Sequence, residues 1–334
     1  MDDVVAWLLE GDPAVRGQVL RDLTDATDEQ IAAERTRAAT EGWGARLLAE
    51  QGENGLWDGG VYRPGWVDES RPFFDAWTAT HFALSLLREL DPDPASPAVR
   101  VALDRVREQV RWDIGDRPYF EGEAEPCVNG AVLVNAMWAG EPGDRVVEAL
   151  LDRRLRREGW NCFDRDGGGT FSFHSTLAVV EGLLSFERAG GSHPEARPAR
   201  LAAEELLLER SLLHRLSDGE PADPRFALPA FPAWWYYDVL RALDHFRLAR
   251  PGGDPRLADA IAVLRRLRRP DGRWRIEQTH MGPTLFELSG EEEGHPSRMV
   301  TLRALRVLRW WEALPDQSRR SDQEIRPPSS SSSP

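Results

Sequence analysis

Three glutamates stand at alternate positions immediately before an apolar stretch of the sequence. Glu121, Glu123 and Glu125 lead into residues 130–139, whose apolar side chains predict a buried helix. Carboxylates crowded at the mouth of a cavity raise one another's pKa, so one of them can serve as a general acid. The dipole of a helix also favours carboxylates at its N-terminus, which explains the same pattern without catalysis.

Aromatic side chains and a histidine form a second set of candidates. Trp77 and His81 are spaced to share one face of a predicted helix, where they either line a cavity or pack in the core. Trp234, Trp235 and Tyr236 form the densest aromatic cluster, predicted to open another helix. At helical spacing these three rings point in different directions, so they can supply packing, a cavity wall or both.

The basic residues exclude several kinds of chemistry. All 42 of them are Arg, because the sequence contains no Lys, and the net charge is -14. There can be no Schiff-base lysine and no phosphate-binding Walker lysine. The acidic balance argues against nucleic acid as a partner. Arg298, near the start of the last apolar helix, can bind an anionic group or pair with the glutamates at 291–293.

Composition also predicts a cytoplasmic protein. No apolar run approaches the ~20 residues of a membrane span, which leaves room only for transient association with a membrane surface. The N-terminus is acidic and unlike a signal peptide. Two cysteines, Cys127 and Cys162, are too few for a disulfide framework.

The elements that position these residues are helices. Amphipathic helices alternate with five that are apolar almost all round, and Gly/Trp turns at 55–57, 158–160 and 271–274 connect them. A helix that is apolar all round must be covered on several sides. We therefore expect an inner ring of apolar helices inside an outer ring of amphipathic ones. Residues 1–315 are predicted to form one domain, and the low-complexity residues 316–334 a disordered tail.

This repeat resembles that of the terpenoid cyclases and protein prenyltransferases, the superfamily of squalene-hopene cyclases. The Gly-x-Trp turns carry the resemblance over about 45–311, together with the stretches 125–130, 160–162, 172–176 and 294–298. It implies an all-α, single-domain α/α toroid with an apolar central cavity, whose mouth is ringed by the N-termini of the inner helices. In that setting Asn129, Trp160 and the aromatic candidates above would contact a hydrophobic substrate, as would His81 and Arg298.

The resemblance implies two kinds of chemistry. Class II cyclases protonate an alkene with the middle Asp of an Asp-x-Asp-Asp motif, and the nearest string here ends at Asp166, in a Gly-rich turn that a solvated loop also explains. Prenyltransferases bind zinc through an acidic residue, a Cys and a His. Cys127, Cys162 and His174, with Glu125, would give a comparable tetrahedral set. Buried cysteines and a helix-capping histidine explain the same residues without a metal.

The leading hypothesis is a terpenoid-cyclase-like enzyme. It would act on a hydrophobic small molecule, which can be isoprenoid-derived, by acid-catalysed cyclisation or isomerisation and without a cofactor. One of Glu121, Glu123, Glu125 and Asp166 would be the acid. The alternatives are a zinc-assisted prenyl-type transferase and a non-catalytic toroid that binds a lipid-like ligand or a protein partner.

Overall fold

The computed structural model describes residues 2–68, 76–164, 166–167 and 169–315. The tail expected over 316–334 lies outside the described residues. Within them the chain forms isolated β-bridges and no β-strand. The α-helices are α1 (Asp2–Leu9), α2 (Pro13–Leu23), α3 (Asp28–Thr40), α4 (Gly42–Ala49), α5 (Thr80–Glu89), α6 (Pro97–Gln109), α7 (Pro126–Ala139), α8 (Asp144–Asp152), α9 (Phe173–Arg188), α10 (Ala196–Leu208), α11 (Val239–Ala249), α12 (Ala258–Arg266) and α13 (Arg298–Ala313). None of these helices is long and apolar enough to cross a membrane.

Six of the helices form an inner ring. α5, α7, α9, α11 and α13 pack against one another in that order, and α13 also packs against α2. The ring closes between α2 and α5, where the amide of Gln18 donates a hydrogen bond of 3.0 Å to the carbonyl of Glu89. In the chain, α4, α6, α8, α10 and α12 each precede an inner helix. The all-α toroid is therefore confirmed, with α2 as a sixth inner helix beyond the five expected.

Three tryptophans join the two rings in the same way. Trp57, Trp160 and Trp274 are fully buried, and each indole N–H donates to the carbonyl ten residues earlier in the chain. Each backbone N–H donates to a threonine hydroxyl in the first turn or two of the next inner helix. The acceptors are the carbonyls of Leu47, Leu150 and Leu264 and the hydroxyls of Thr80, Thr176 and Thr301. The repeat thus fixes one hydrogen-bonding unit at three positions around the ring.

Two glycines let α7 and α9 approach closely. A Cβ on Gly130 would lie 2.4 Å from the backbone of Ala178, and one on Gly182 would lie 2.7 Å from the carbonyl of Gly130. Both distances are too short for a Cβ atom, so α7 and α9 can cross this closely only because both positions are glycine.

Two of the inner helices begin later than the sequence predicts. α5 begins at Thr80, so Trp77 precedes it. The helix expected from Trp234 begins only at Val239, and that expectation is wrong. Trp234 has a φ of 52°, and the side chain of Asp238 caps α11 by accepting a hydrogen bond from the N–H of Arg241. The aromatic cluster therefore lies on a turn.

Candidate functional site

Charged side chains fill the lumen of the inner ring, where the resemblance implies an apolar cavity. Arg306 of α13 pairs with Asp244 of α11 and, at 3.2 Å, with Asp22 of α2. Arg303 pairs with Glu89 of α5 at 2.8 Å. Burial alone would raise the pKa of Asp244, but the neighbouring guanidiniums lower it to about 2.

A second group of polar contacts lies in the same lumen. Arg241 of α11 pairs with Glu181 of α9 at 2.5 Å, and Arg88 of α5 donates to the amide oxygen of Asn135 in α7 at 3.0 Å. The described lumen is thus a polar interior, because the apolar helices each turn a few isolated charged residues inward. An apolar substrate chain would have to displace these pairs.

Aromatic side chains cover one end of the inner helical ring, where the N-termini of its helices lie. Trp77 and Trp234 stack with their ring centroids 5.5 Å apart, and Phe82 meets Trp77 edge-on. Tyr62 packs on Phe82. The indole N–H of Trp77 donates to the carbonyl of Met281 at 2.9 Å. We call Tyr62, Trp77, Phe82 and Trp234 the aromatic plug, since they pack on one another.

His81 lies in the core beside this plug. Its Nδ1 is 3.2 Å from the hydroxyl of Tyr119, and the rings of Tyr62, Phe82 and Trp112 surround it. Burial lowers the pKa of His81 to about 3, so the imidazole is neutral at physiological pH.

A cavity of about 360 Å³ lies next to the aromatic plug, and we call it the histidine pocket. Met281 lines this cavity, and its carbonyl accepts the hydrogen bond from Trp77 of the plug. Its walls come from the N-terminus of α9 and from the two long loops that precede α11 and α13. The lining residues are His174, Asp223, Arg225, Phe226, Tyr236, Tyr237, Gln278, Thr279, His280 and Met281.

His174 is held in one tautomer. Its Nδ1 accepts a hydrogen bond of 2.8 Å from the backbone N–H of Tyr237, so the proton of the neutral ring lies on Nε2. Burial lowers the pKa of His174 to about 4. The side chain is therefore a neutral hydrogen-bond donor at physiological pH. The rings of Phe226 and Trp235 fix its plane.

His280 stacks face to face on Tyr236, with the ring centroids 3.8 Å apart. Burial lowers its pKa to about 4, and the nearby His174 contributes. Its Nε2 atom is buried and has no hydrogen-bond partner among the described residues. An unsatisfied buried nitrogen is costly unless a ligand or a water reaches it.

A close ion pair forms part of the pocket wall. The carboxylate of Asp223 contacts the guanidinium of Arg225 at 2.6 Å and accepts its backbone N–H at 2.8 Å. The Arg225 hydrogen bond lowers the pKa of Asp223, so this carboxylate stays charged. Arg225 is exposed and can meet a polar or anionic group on a ligand.

The four carboxylates proposed as acids do not line this pocket. Glu121 pairs with Arg145 at 2.6 Å, and the carboxylate of Glu123 accepts the N–H of Glu125 at 2.7 Å. Glu125 is the exposed residue before α7. Asp166 is exposed in a turn. Positions of this kind, at helix starts and in turns, were also expected if these carboxylates have no catalytic role.

Three of the expected substrate contacts have partners within the protein. Asn129 holds the loop before α7, since its side chain bonds both the N–H and the carbonyl of Glu123. Trp160 is one of the buried repeat tryptophans. Arg298 lies over the ring of Trp7 and donates to its carbonyl at 3.2 Å. Of the expected substrate contacts, Tyr236 alone lines the histidine pocket, and Trp235 stacks on it.

The residues expected to bind zinc are only partly together. Ligand atoms of Glu125, Cys127 and Cys162 lie within 4.8 Å of one another, and His174 is not part of this group. The two sulfur atoms are 2.7 Å apart, whereas two thiolates on one tetrahedral zinc would lie about 3.8 Å apart at Zn–S distances near 2.3 Å. The arrangement therefore does not fit a tetrahedral zinc site built from these four residues.

The sequence pattern did not single out Asp223, Arg225, Gln278 or His280 as site residues. These residues lie on long loops without periodicity. The one available signal was that His280 is one of only 7 histidines in the chain.

Comparisons with known proteins yield structures only. No family model and no curated protein matches the chain. A protein from Actinoplanes is 20% identical, with 90% of both chains covered and a TM-score of 0.43. An apo variant of the type II terpene cyclase MstE from Scytonema is 20% identical, with 90% of this chain and 86% of that chain covered and a TM-score of 0.42.

A second variant of MstE, in complex with geranylgeranyl dihydroxybenzoate, is 17% identical over the same shares of the two chains, with a TM-score of 0.40. The likeness is one of helical architecture. Neither an activity nor membership of a particular family follows from it.

Proposed function

We propose that this protein is an enzyme that binds a small, mainly hydrophobic molecule in the histidine pocket and isomerises it by proton transfer. The observation that carries the proposal is the pair of neutral imidazoles, His174 and His280, both in ring contact with Tyr236 in one cavity. Isoprenoid-derived compounds are the first class to test, because the sequence resemblance implies them.

The size and lining of the pocket favour a compact ligand. A volume of about 360 Å³ is near the lower end of the ~300–1,000 Å³ range of small-molecule sites. Phe226, Tyr236 and Tyr237 supply apolar walls, while the Asp223–Arg225 pair supplies charge. These features suit a mainly apolar molecule with one oxygen-containing group better than a long polyprenyl chain.

The two histidines have complementary roles in this proposal. The Nε2–H of His174 donates to a carbonyl oxygen of the ligand and stabilises the negative charge that develops there. For an α,β-unsaturated carbonyl ligand, the neutral imidazole of His280 accepts a proton from the γ-carbon and returns it to the α-carbon, so that the double bond moves by one position. In this proposal the two imidazoles take the place of the carboxylates expected from the sequence, none of which lines the pocket.

The test uses farnesal as a carbonyl-bearing isoprenoid probe. Native mass spectrometry should detect its complex, and incubation in D₂O should incorporate deuterium as the double bond moves. His280→Gln should lower the exchange rate by about 100-fold or more, and His174→Gln should weaken both binding and exchange. His295→Gln, at an exposed position, is the matched control. Binding and exchange at wild-type rates in both pocket variants would exclude this site as the catalytic one.

A further inference from the structure

Cys127 and Cys162 lie side by side although 35 residues separate them in the sequence. Cys127 is the second residue of α7, and Cys162 lies in the loop between α8 and α9. Their sulfur atoms are 2.7 Å apart. A disulfide bond is about 2.05 Å long, so a small side-chain movement would bring the two sulfurs into bonding distance.

The surroundings hold the two thiols in this position. The sulfur of Cys162 accepts the backbone N–H of Cys127 at 3.3 Å and the hydroxyl of Ser175 at 3.3 Å. The N–H of Cys162 donates in turn to Ser175. Cys127 is buried and Cys162 is half-buried. A small solute that enters from outside therefore meets Cys162 first.

We propose that Cys127 and Cys162 are a redox-active pair that closes to an intramolecular disulfide when it meets hydrogen peroxide. The sulfur of Cys162 attacks one peroxide oxygen, the O–O bond breaks, and one water leaves with Cys162 as a sulfenic acid. The sulfur of Cys127 then attacks the Cys162 sulfur, and a second water leaves with the thiol proton. The two thiols lose two electrons in total, and the peroxide becomes two waters.

The bond would join an inner helix to a loop that follows an outer one. It would tie the loop between α8 and α9 to the start of α7, and it would restrict the unfolded chain by closing a loop of about 35 residues. The same loop leads into His174 at the start of α9, in the wall of the histidine pocket. The inference stands on the geometry of the thiols and does not depend on the proposed isomerase activity.

The experiment treats full-length reduced protein with hydrogen peroxide and follows thiol alkylation by intact mass. Both cysteines should be alkylated before treatment and neither afterwards, with the monomer mass lower by two hydrogens. A reductant should restore both thiols. Because the closed loop has about 35 residues, the oxidised protein should melt about 5 °C higher than the reduced one.

Two variants test the order of the steps. Cys127→Ser should stop at a Cys162 sulfenic acid, which dimedone traps, whereas Cys162→Ser should leave Cys127 largely unreacted. Trapping on Cys127 instead, or equal trapping in both variants, would overturn the assignment. Disulfide-linked dimers as the main product, or stoichiometric zinc that protects both thiols in freshly purified protein, would overturn the proposal itself.

Discussion

Acidification should destabilise the protein through histidines that are buried in the neutral form, and His81 is the sharpest case. Its pKa is about 3 in the folded chain, against about 6.5 in an unfolded one. Below about pH 6.5 the unfolded chain binds a proton that the folded chain does not, so stability falls as the pH falls. Between about pH 8 and pH 5 this single group costs about 2 kcal/mol, from about 1.5 pH units at 1.36 kcal/mol each.

Urea unfolding of wild-type protein and His81→Gln at both pH values measures this cost. The variant loses packing at every pH, but its loss of stability between about pH 8 and pH 5 should be smaller than that of wild type by about 2 kcal/mol. Gln retains a hydrogen-bonding group for the hydroxyl of Tyr119. His295→Gln, at an exposed site, should leave the wild-type pH dependence unchanged. An identical pH dependence in wild type and His81→Gln would refute the argument.

Three further substitutions test the packing of the rings, each by urea unfolding at neutral pH. Gly130→Ala should cost about 2–3 kcal/mol by forcing α7 away from α9, whereas Gly252→Ala, with no atom within 4 Å of the added Cβ, should be neutral. Trp274→Phe should cost about 1–3 kcal/mol because the carbonyl of Leu264 loses its donor; a loss below that range would show that the hydrogen bond is dispensable. Arg306→Met should cost about 1.5–3 kcal/mol by removing a charged hydrogen-bond donor from Asp244 and Asp22, which keep Arg247 and Arg21 as partners, and wild-type stability in this variant would show that the pairs are solvated.

The repeat turns could be predicted from the sequence because they are local. A Gly lies one or two residues before each of Trp57, Trp160 and Trp274, and a large aromatic ring in such a turn is buried between the neighbouring helices. The same reasoning yielded the inner helices, since an apolar surface all round requires neighbours on every side.

The turn at Trp234 could not be predicted in the same way. Residues 234–237 have the apolar character of a helix start, but Trp234 stacks on Trp77, which is distant in the sequence, and Asp238 caps the helix only afterwards. A tertiary contact and a local cap thus override the periodicity. Whether this segment forms a helix or a turn depends on its packing against distant residues, which the sequence of the segment alone does not reveal.

The candidate site was harder still, because its parts are remote from one another in the chain. His174, the Asp223–Arg225 pair and His280 come from three separate segments, and only the closure of the ring brings them together. The lumen was missed for a related reason. Arg88, Glu181 and similar single charges look like surface residues of their helices until the partner on another helix is known.

The polar lumen has a consequence for how the ring responds to its surroundings. Every permanent cation in it is an arginine, because the chain contains no Lys. A guanidinium keeps its proton at any pH that a folded protein tolerates, whereas a lysine ammonium in such an interior readily loses it. Alkaline solution therefore leaves the contacts of Arg303 and Arg306 across the ring intact. Of the two directions of pH change, it is therefore acidification, by protonating the carboxylates, that breaks these contacts.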